Sequence, residues 1–110
     1  MPSERSDAVL LNEIRDSIRL VGDYVDGLDL ATFDASLLQR DATAYRLLLI
    51  GEAAARLSPE LKASLTGIDW RGMISLRHRL AHDYGSASSL ILWTIATVEV
   101  PELSTAIEGH

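Results

Sequence analysis

From Val9 to Leu28 the apolar residues Leu10, Leu11, Ile14, Ile18, Val21, Val25 and Leu28 recur every three or four positions, with acids and arginines between them. That spacing predicts an amphipathic helix with one stripe facing a core. The stretch "DGLDLATFD" supplies a break, after which Asp34 or Ser36 can cap a second long helix through "LLQRDATAYRLLLIGEAAARL". Its second half is apolar nearly all round, the pattern of a central, deeply packed helix. Ser58 followed by Pro59 reads as the start of a short helix, because proline's missing N–H costs nothing in a first turn. Gly67 ends that segment. Asp69 then caps a third main helix from Trp70 to near Asp83, and Gly85 is expected to supply the left-handed turn that often closes a helix. Leu90 to Val98 is helical in pattern, with Pro101 predicted to kink or restart the helix before "ELSTAI". No run alternates polar and apolar residues between hairpin turns, so strands are not expected. The predicted fold is all-α: an antiparallel bundle of four long helices plus a short helix, in a single domain spanning residues 1–110.

Composition narrows the class without changing that picture. Hydrophobic residues make up 47% of the chain and charged ones 24%, an ordinary globular balance. There is no cysteine, which removes disulfides and thiolate metal sites and makes the cytoplasm the default expectation. The N-terminal "MPSERSDAVLLNEIRD" is charged where a signal peptide needs an apolar core. The apolar run "LILWTIATV" falls short of the roughly 20 residues of a spanning helix, so no membrane insertion is expected.

The net charge of -6 argues against nonspecific coating of nucleic acid, but the charge is unevenly placed. Residues 1–34 hold eight carboxylates against three arginines, whereas residues 70–82 hold Arg71, Arg77 and Arg79 and no acid. Positive charge therefore collects in "SLRHRLAHDYG", together with His78, His82 and Tyr84. Trp70, Ile74, Arg77 and Ala81 fall along one stripe of the third main helix, where Arg77 interrupts an apolar face. A buried guanidinium keeps its charge and needs an anionic partner. Glu52 is the one ionisable residue between Arg46 and Arg56, and the two misfits are expected to pair in the bundle or at its edge.

His82 lies five residues beyond Arg77, about 140° around a regular helix and about 7.5 Å along it, so the two do not share a face. They can serve one site if the helix ends near His82, or if a second copy contributes its own pair across a symmetry axis. Imidazole exchanges protons near neutrality and arginine forks onto phosphate oxygens, a combination suited to phosphoryl transfer. His78 and His82 have metal-binding spacing, but two imidazoles without a third ligand are an incomplete site, and no metal or cofactor is expected. His78 and Arg79 are expected to be exposed, where they could contact phosphates. A packing role at the helix end is equally open to Tyr84, and core anchoring to Trp70 and Trp93.

"RHRLAHDY" resembles the R-x4-H-x-Y signature of HepT-type HEPN proteins, filled here by Arg77, His82 and Tyr84. "LLLIGEAAARLSPEL", "IDW" and "LWTIATVEVPELSTAI" follow the order of family features over roughly residues 40–107. His78 departs from the small polar residue common after the arginine. The resemblance implies a helical-bundle ribonuclease toxin that acts on RNA as a homodimer and is encoded with an MNT-type nucleotidyltransferase antitoxin. It implies that Arg77 and His82 are the ribonuclease residues and that Tyr84 accepts AMP from the antitoxin; Glu52, His78 and Arg79 are read as supporting residues from their own positions, the first as the partner of Arg77 and the other two as phosphate contacts. The competing class is a noncatalytic HEPN module that binds a nucleotide or a partner through the same strip.

Overall fold

The first helix, α1 (Asp7–Val25), opens at Ser6, whose hydroxyl accepts the amide of Val9. The computed structural model describes residues 6–110, apart from the Ser86 side chain; the charged segment containing Glu4 and Arg5 lies outside the described residues. Leu10, Leu11, Ile14 and Val21 form the buried stripe of α1. Helix α1 stops three residues before the expected Leu28, because Gly27 turns the chain with φ 77°, a backbone region that glycine enters without steric cost.

The expected break contains a further helix, α2 (Leu30–Ala35). Asp29 and Thr32 form a reciprocal capping box, with the Thr32 amide donating to Asp29 Oδ1 and the Asp29 amide to Thr32 Oγ1, both at 2.9 Å. Phe33 anchors α2 in the core, its ring 5.2 Å from that of Trp93. Helix α3 (Leu37–Arg56) follows with Ser36 at its N-cap but without a side-chain cap bond. Asp34, the other candidate cap, instead accepts a hydrogen bond from Ser89. As its composition implies, α3 is central: Thr43, Ala44, Leu47, Ile50, Gly51, Ala53 and Ala54 are all buried.

Ser58 caps α4 (Pro59–Ser64), accepting from the Leu61 amide at 3.1 Å, and also reaches back to the start of α1. Its amide donates to Asp7 Oδ1 at 2.9 Å and its hydroxyl to Asp7 Oδ2 at 2.7 Å, so α1 begins where α3 ends and the two run antiparallel. These bonds stabilise the carboxylate and hold the Asp7 pKa below its ordinary value. After Gly67, Asp69 caps α5 (Trp70–His82) by accepting from the Gly72 amide at 2.9 Å. Trp70 packs on the core as expected, its indole N–H donating to the Lys62 carbonyl at 3.1 Å. Gly85 is not in the left-handed region; residues Tyr84–Ser86 form one tight turn of 3₁₀-helix that closes α5 without it.

The last long element is one helix rather than two. Its parts are α6 (Ser89–Thr94), a π-turn (Ile95–Glu99) and α7 (Val100–Ile107). Proline at 101 has no amide to offer the previous turn and its ring crowds that turn's carbonyl. The π-turn accommodates this by widening the helix ahead of Pro101, where the Val100 amide bonds the Ile95 carbonyl five residues back. Because the helix continues, Ser89–Ile107 is 19 residues long and, by length and composition alone, apolar enough to cross a membrane. Its buried residues, Leu92, Ala96, Val100, Leu103 and Ile107, lie on one stripe in the core shared with α1.

Four long helices thus run antiparallel, with two six-residue helices and one 3₁₀ turn where a single short helix was expected, and no strand occurs among the described residues. Helix α5 packs chiefly against α3, which leaves its outer face open.

Candidate active site

Helix α5 buries Met73, Leu76 and Leu80. Arg77 therefore flanks the apolar stripe instead of interrupting it, and the 70-74-77-81 line is the edge of the buried face, with Ala81 exposed. Arg77 Nη1 lies 3.5 Å from Glu52 Oε1, with the arginine side chain 26% exposed and the glutamate 42%. The expected pair forms, and it forms at the rim of the bundle. The Arg77 Nε–H is buried and has no hydrogen-bond partner among the described residues. That buried N–H faces the protein; it is the 26% of the side chain left exposed beside Glu52 through which the guanidinium can meet another anion.

Gly51 sets how closely Arg77 approaches α3. A Cβ at residue 51 would overlap Cβ of Arg77 and come within 2.9 Å of the Met73 carbonyl oxygen, so the two backbones meet only because residue 51 has no side chain. Glycine and glutamate in "IGEAA" are therefore one device: the first admits α5, the second orients its arginine.

His82 ends α5 and is exposed. Its ring lies 4.5 Å from that of His78, tilted by 50°, and both imidazoles, with Arg71 and Arg79, stand on the open side of α5. Among the described residues no hydrogen bond or ion pair joins Arg77 to His82. Arg77 lies against Glu52 at the α3 edge, whereas His82 is exposed at the end of α5.

Tyr84 is held by residues that sequence reasoning did not single out. Its hydroxyl donates to Asp41 Oδ1 and accepts from Arg40 Nη1 at 3.0 Å, while the Arg40 guanidinium carbon sits 5.4 Å from the ring centre. Arg40 also donates through Nη2 to the Ala87 carbonyl at 3.1 Å and through Nε to Ser89 Oγ at 2.8 Å. Burial, and then the hydrogen bond to Asp41, push the Tyr84 phenol pKa above its ordinary value. A groove of about 190 Å³ lined by Asp41, Ala44, Tyr45, Leu48, Leu80 and Tyr84 runs beside this network. Arg40 and Asp41 sit on the first turns of α3, and nothing in their local pattern marks them. Only the antiparallel packing of α3 on α5 brings them to Tyr84.

Residues 14–109 match the family described as "Ribonuclease HepT-like". The chain is 26% identical over 106 residues to the protein named "Putative RNase MJ1380" of Methanocaldococcus jannaschii, covering 96% of this chain and 97% of that one. It is 26% identical over 105 residues to "Probable ribonuclease HepT" of Thermococcus cleftensis, with 96% of each chain covered. It is 30% identical over 96 residues to "Putative RNase MJ0127" of Methanocaldococcus jannaschii, covering 84% and 79% respectively. No solved structure matches the chain significantly. With a family match across most of its length and an all-helical bundle carrying Arg77 and His82 on one helix and Tyr84 in the turn that follows it, the chain belongs to the ribonuclease HepT-like family.

Proposed function

We propose that the chain is a metal-independent endoribonuclease toxin that cleaves RNA as a homodimer and is neutralised by a nucleotidyltransferase antitoxin through AMPylation of Tyr84. RNA carries its own nucleophile in the 2′-hydroxyl. Cleavage then needs a base for that proton, an acid for the departing 5′-oxygen and positive charge for the phosphorane. His82 transfers protons and Arg77 stabilises the phosphorane. The observation that carries the reading is the division of labour along α5: an arginine oriented by Glu52 at the partly exposed rim of the bundle, and a histidine exposed at the helix end.

The open face of α5 supports the dimer. A second copy docked there through a two-fold axis brings two histidines and two arginines to one cleft, so that one imidazole acts as base and the other as acid. His78 and Arg79, on the same open side, contact flanking phosphates. The acidic remainder of the surface confines RNA to this strip. AMP on Tyr84 adds bulk and negative charge beside the cleft, where an RNA phosphate must approach.

The test is incubation of purified protein with RNA in EDTA, followed by analysis of the ends. Cleavage with 2′,3′-cyclic phosphate termini, lost in His82→Ala with helicity and dimerisation intact, is the expected result. Intact RNA would favour a noncatalytic nucleotide- or partner-binding module, and cleavage by His82→Ala would remove the histidine from the mechanism.

A further inference from the structure

Tyr84 is an unusual phenol for a helix-end residue, because both hydrogen-bonding functions of its oxygen are engaged by charged side chains from another helix. The O–H points at the Asp41 carboxylate, and one lone pair accepts from Arg40 Nη1 at 3.0 Å. Arg40 is itself anchored at Ala87 and Ser89, and Ser89 in turn donates to Asp34. The phenol remains reachable, since Tyr84 is 37% exposed and lies on an open groove. A residue serving only to close the helix would need neither a carboxylate acceptor nor an anchored guanidinium at its hydroxyl.

We propose that Asp41 and Arg40 form the acceptor half of a nucleotidyl-transfer site: Asp41 is the base that takes the Tyr84 proton, and Arg40 binds the phosphate arriving on the phenol oxygen. The inference rests on the reading of Tyr84 as an AMP acceptor and deepens it by assigning chemistry to residues on this chain. In the step, the Tyr84 oxygen attacks the α-phosphorus of ATP held by the nucleotidyltransferase. The Oη–Pα bond forms, the bond from Pα to the bridging oxygen breaks, and pyrophosphate leaves. The hydroxyl proton passes to the Asp41 carboxylate, to which it is already hydrogen-bonded.

A neutral phenol is a weak nucleophile, and its ionisation is opposed here by burial. A positioned base removes that obstacle as the new bond forms instead of before it. Arg40 stabilises the phenoxide as it develops through Nη1, and with Nε and Nη2 anchored at Ser89 and Ala87 that Nη1 is held in place to bond a non-bridging oxygen of the product phosphodiester. The product has lost the O–H that bound Asp41, and once Asp41 releases the proton to solvent an anion stands beside its carboxylate. Arg40, lying 3.8 Å from Asp41 and touching the same oxygen, is positioned to compensate both charges.

The experiment measures adenylate attachment from ATP labelled on the α-phosphate. It uses the full chain, an MNT-type nucleotidyltransferase as the adenylate donor enzyme, and wild type, Tyr84→Phe, Asp41→Asn and Asp41→Glu, with each variant's helicity and melting temperature recorded. Label on wild type and none on Tyr84→Phe establishes the acceptor. Asp41→Asn, which keeps the shape but not the basicity, is expected to slow labelling by about 100-fold or more with KM for ATP unchanged, and Asp41→Glu to recover part of the rate. A merely structural role for Asp41 would let asparagine substitute and would not favour glutamate. Wild-type labelling matched by Asp41→Asn within a few-fold overturns the inference while leaving the acceptor reading intact. No label on wild type, or label persisting in Tyr84→Phe, overturns the acceptor reading itself, and the inference with it.

Discussion

Gly51 of α3 and Arg77 of α5 are in backbone-level contact: the space that a side chain at 51 would occupy is filled by the first carbons of the arginine and by the Met73 carbonyl. Neither obstacle is the far end of a flexible chain, so a methyl group there must push α5 outward. Gly51→Ala gains up to about 1 kcal/mol of helix propensity. It is nonetheless expected to be destabilising, because overpacking costs about 1–3 kcal/mol. Gly22 of α1, with nothing near its would-be Cβ, is the control: Gly22→Ala should stabilise by about 0.5–1 kcal/mol. Opposite shifts in the two melting temperatures check both expectations, and equal shifts would mean that close helix contact is not what residue 51 provides.

The pair of Arg77 and Glu52 separates stability from function. At these exposures its removal in Glu52→Gln should cost at most about 1 kcal/mol in denaturant unfolding. RNA cleavage should fall several-fold more than stability predicts, since the guanidinium loses its fixed direction. Arg77→Lys keeps the charge but not the planar fork, and its cleavage rate should drop by about 100-fold. A lysine variant as active as wild type would show that a point charge suffices.

Asp7 links stability to acid. Its hydrogen bonds from Ser58 depress its pKa below the ordinary value of 3.8. The stabilisation is thus complete above that ordinary value and lost as pH falls through the lower folded one. Asp7→Asn should be less stable by about 1 kcal/mol at neutral pH and show a shallower acid limb than wild type. Urea midpoints measured between neutral pH and pH 2 would reveal it, and parallel curves for the two proteins would refute the linkage.

Tyr84 behaves oppositely at high pH. Its raised phenol pKa contributes stability below the ordinary value of 10.0, which is lost as pH rises through the folded value. Spectrophotometric titration should therefore find one late-ionising tyrosine that is missing in Tyr84→Phe. In Asp41→Asn its midpoint should move down, because the carboxylate that both accepts the proton and repels the phenoxide is gone, while burial keeps it above an exposed phenol. A midpoint that did not move would place the cause of the shift in burial alone.

The caps at Ser58 and Asp69 and the stripe of α1 were legible because they depend on residues within a turn or two of each other. The pairing of Glu52 with Arg77 was legible for a different reason: each is a charged residue beside an apolar face, and such residues need partners. Where two local rules competed, the chain departs from the simple spacing: Gly27 outweighed the continuing hydrophobic pattern to Leu28, and the Asp29–Thr32 box built a helix inside a supposed break. At Pro101 the expected disturbance of the helix takes the form of a π-turn.

By itself, then, the sequence determined an all-helical chain with a cationic, imidazole-bearing third main helix, since periodicity, capping and charge segregation are written in neighbouring residues. Tertiary structure alone decided that Arg77 sits at a rim instead of inside, that His82 stands on an open face, and that Arg40 and Asp41 enclose the Tyr84 hydroxyl. The physical reason is that α3 and α5 pack antiparallel, which brings the start of one against the end of the other. No spacing along the chain encodes a contact between positions 43 residues apart.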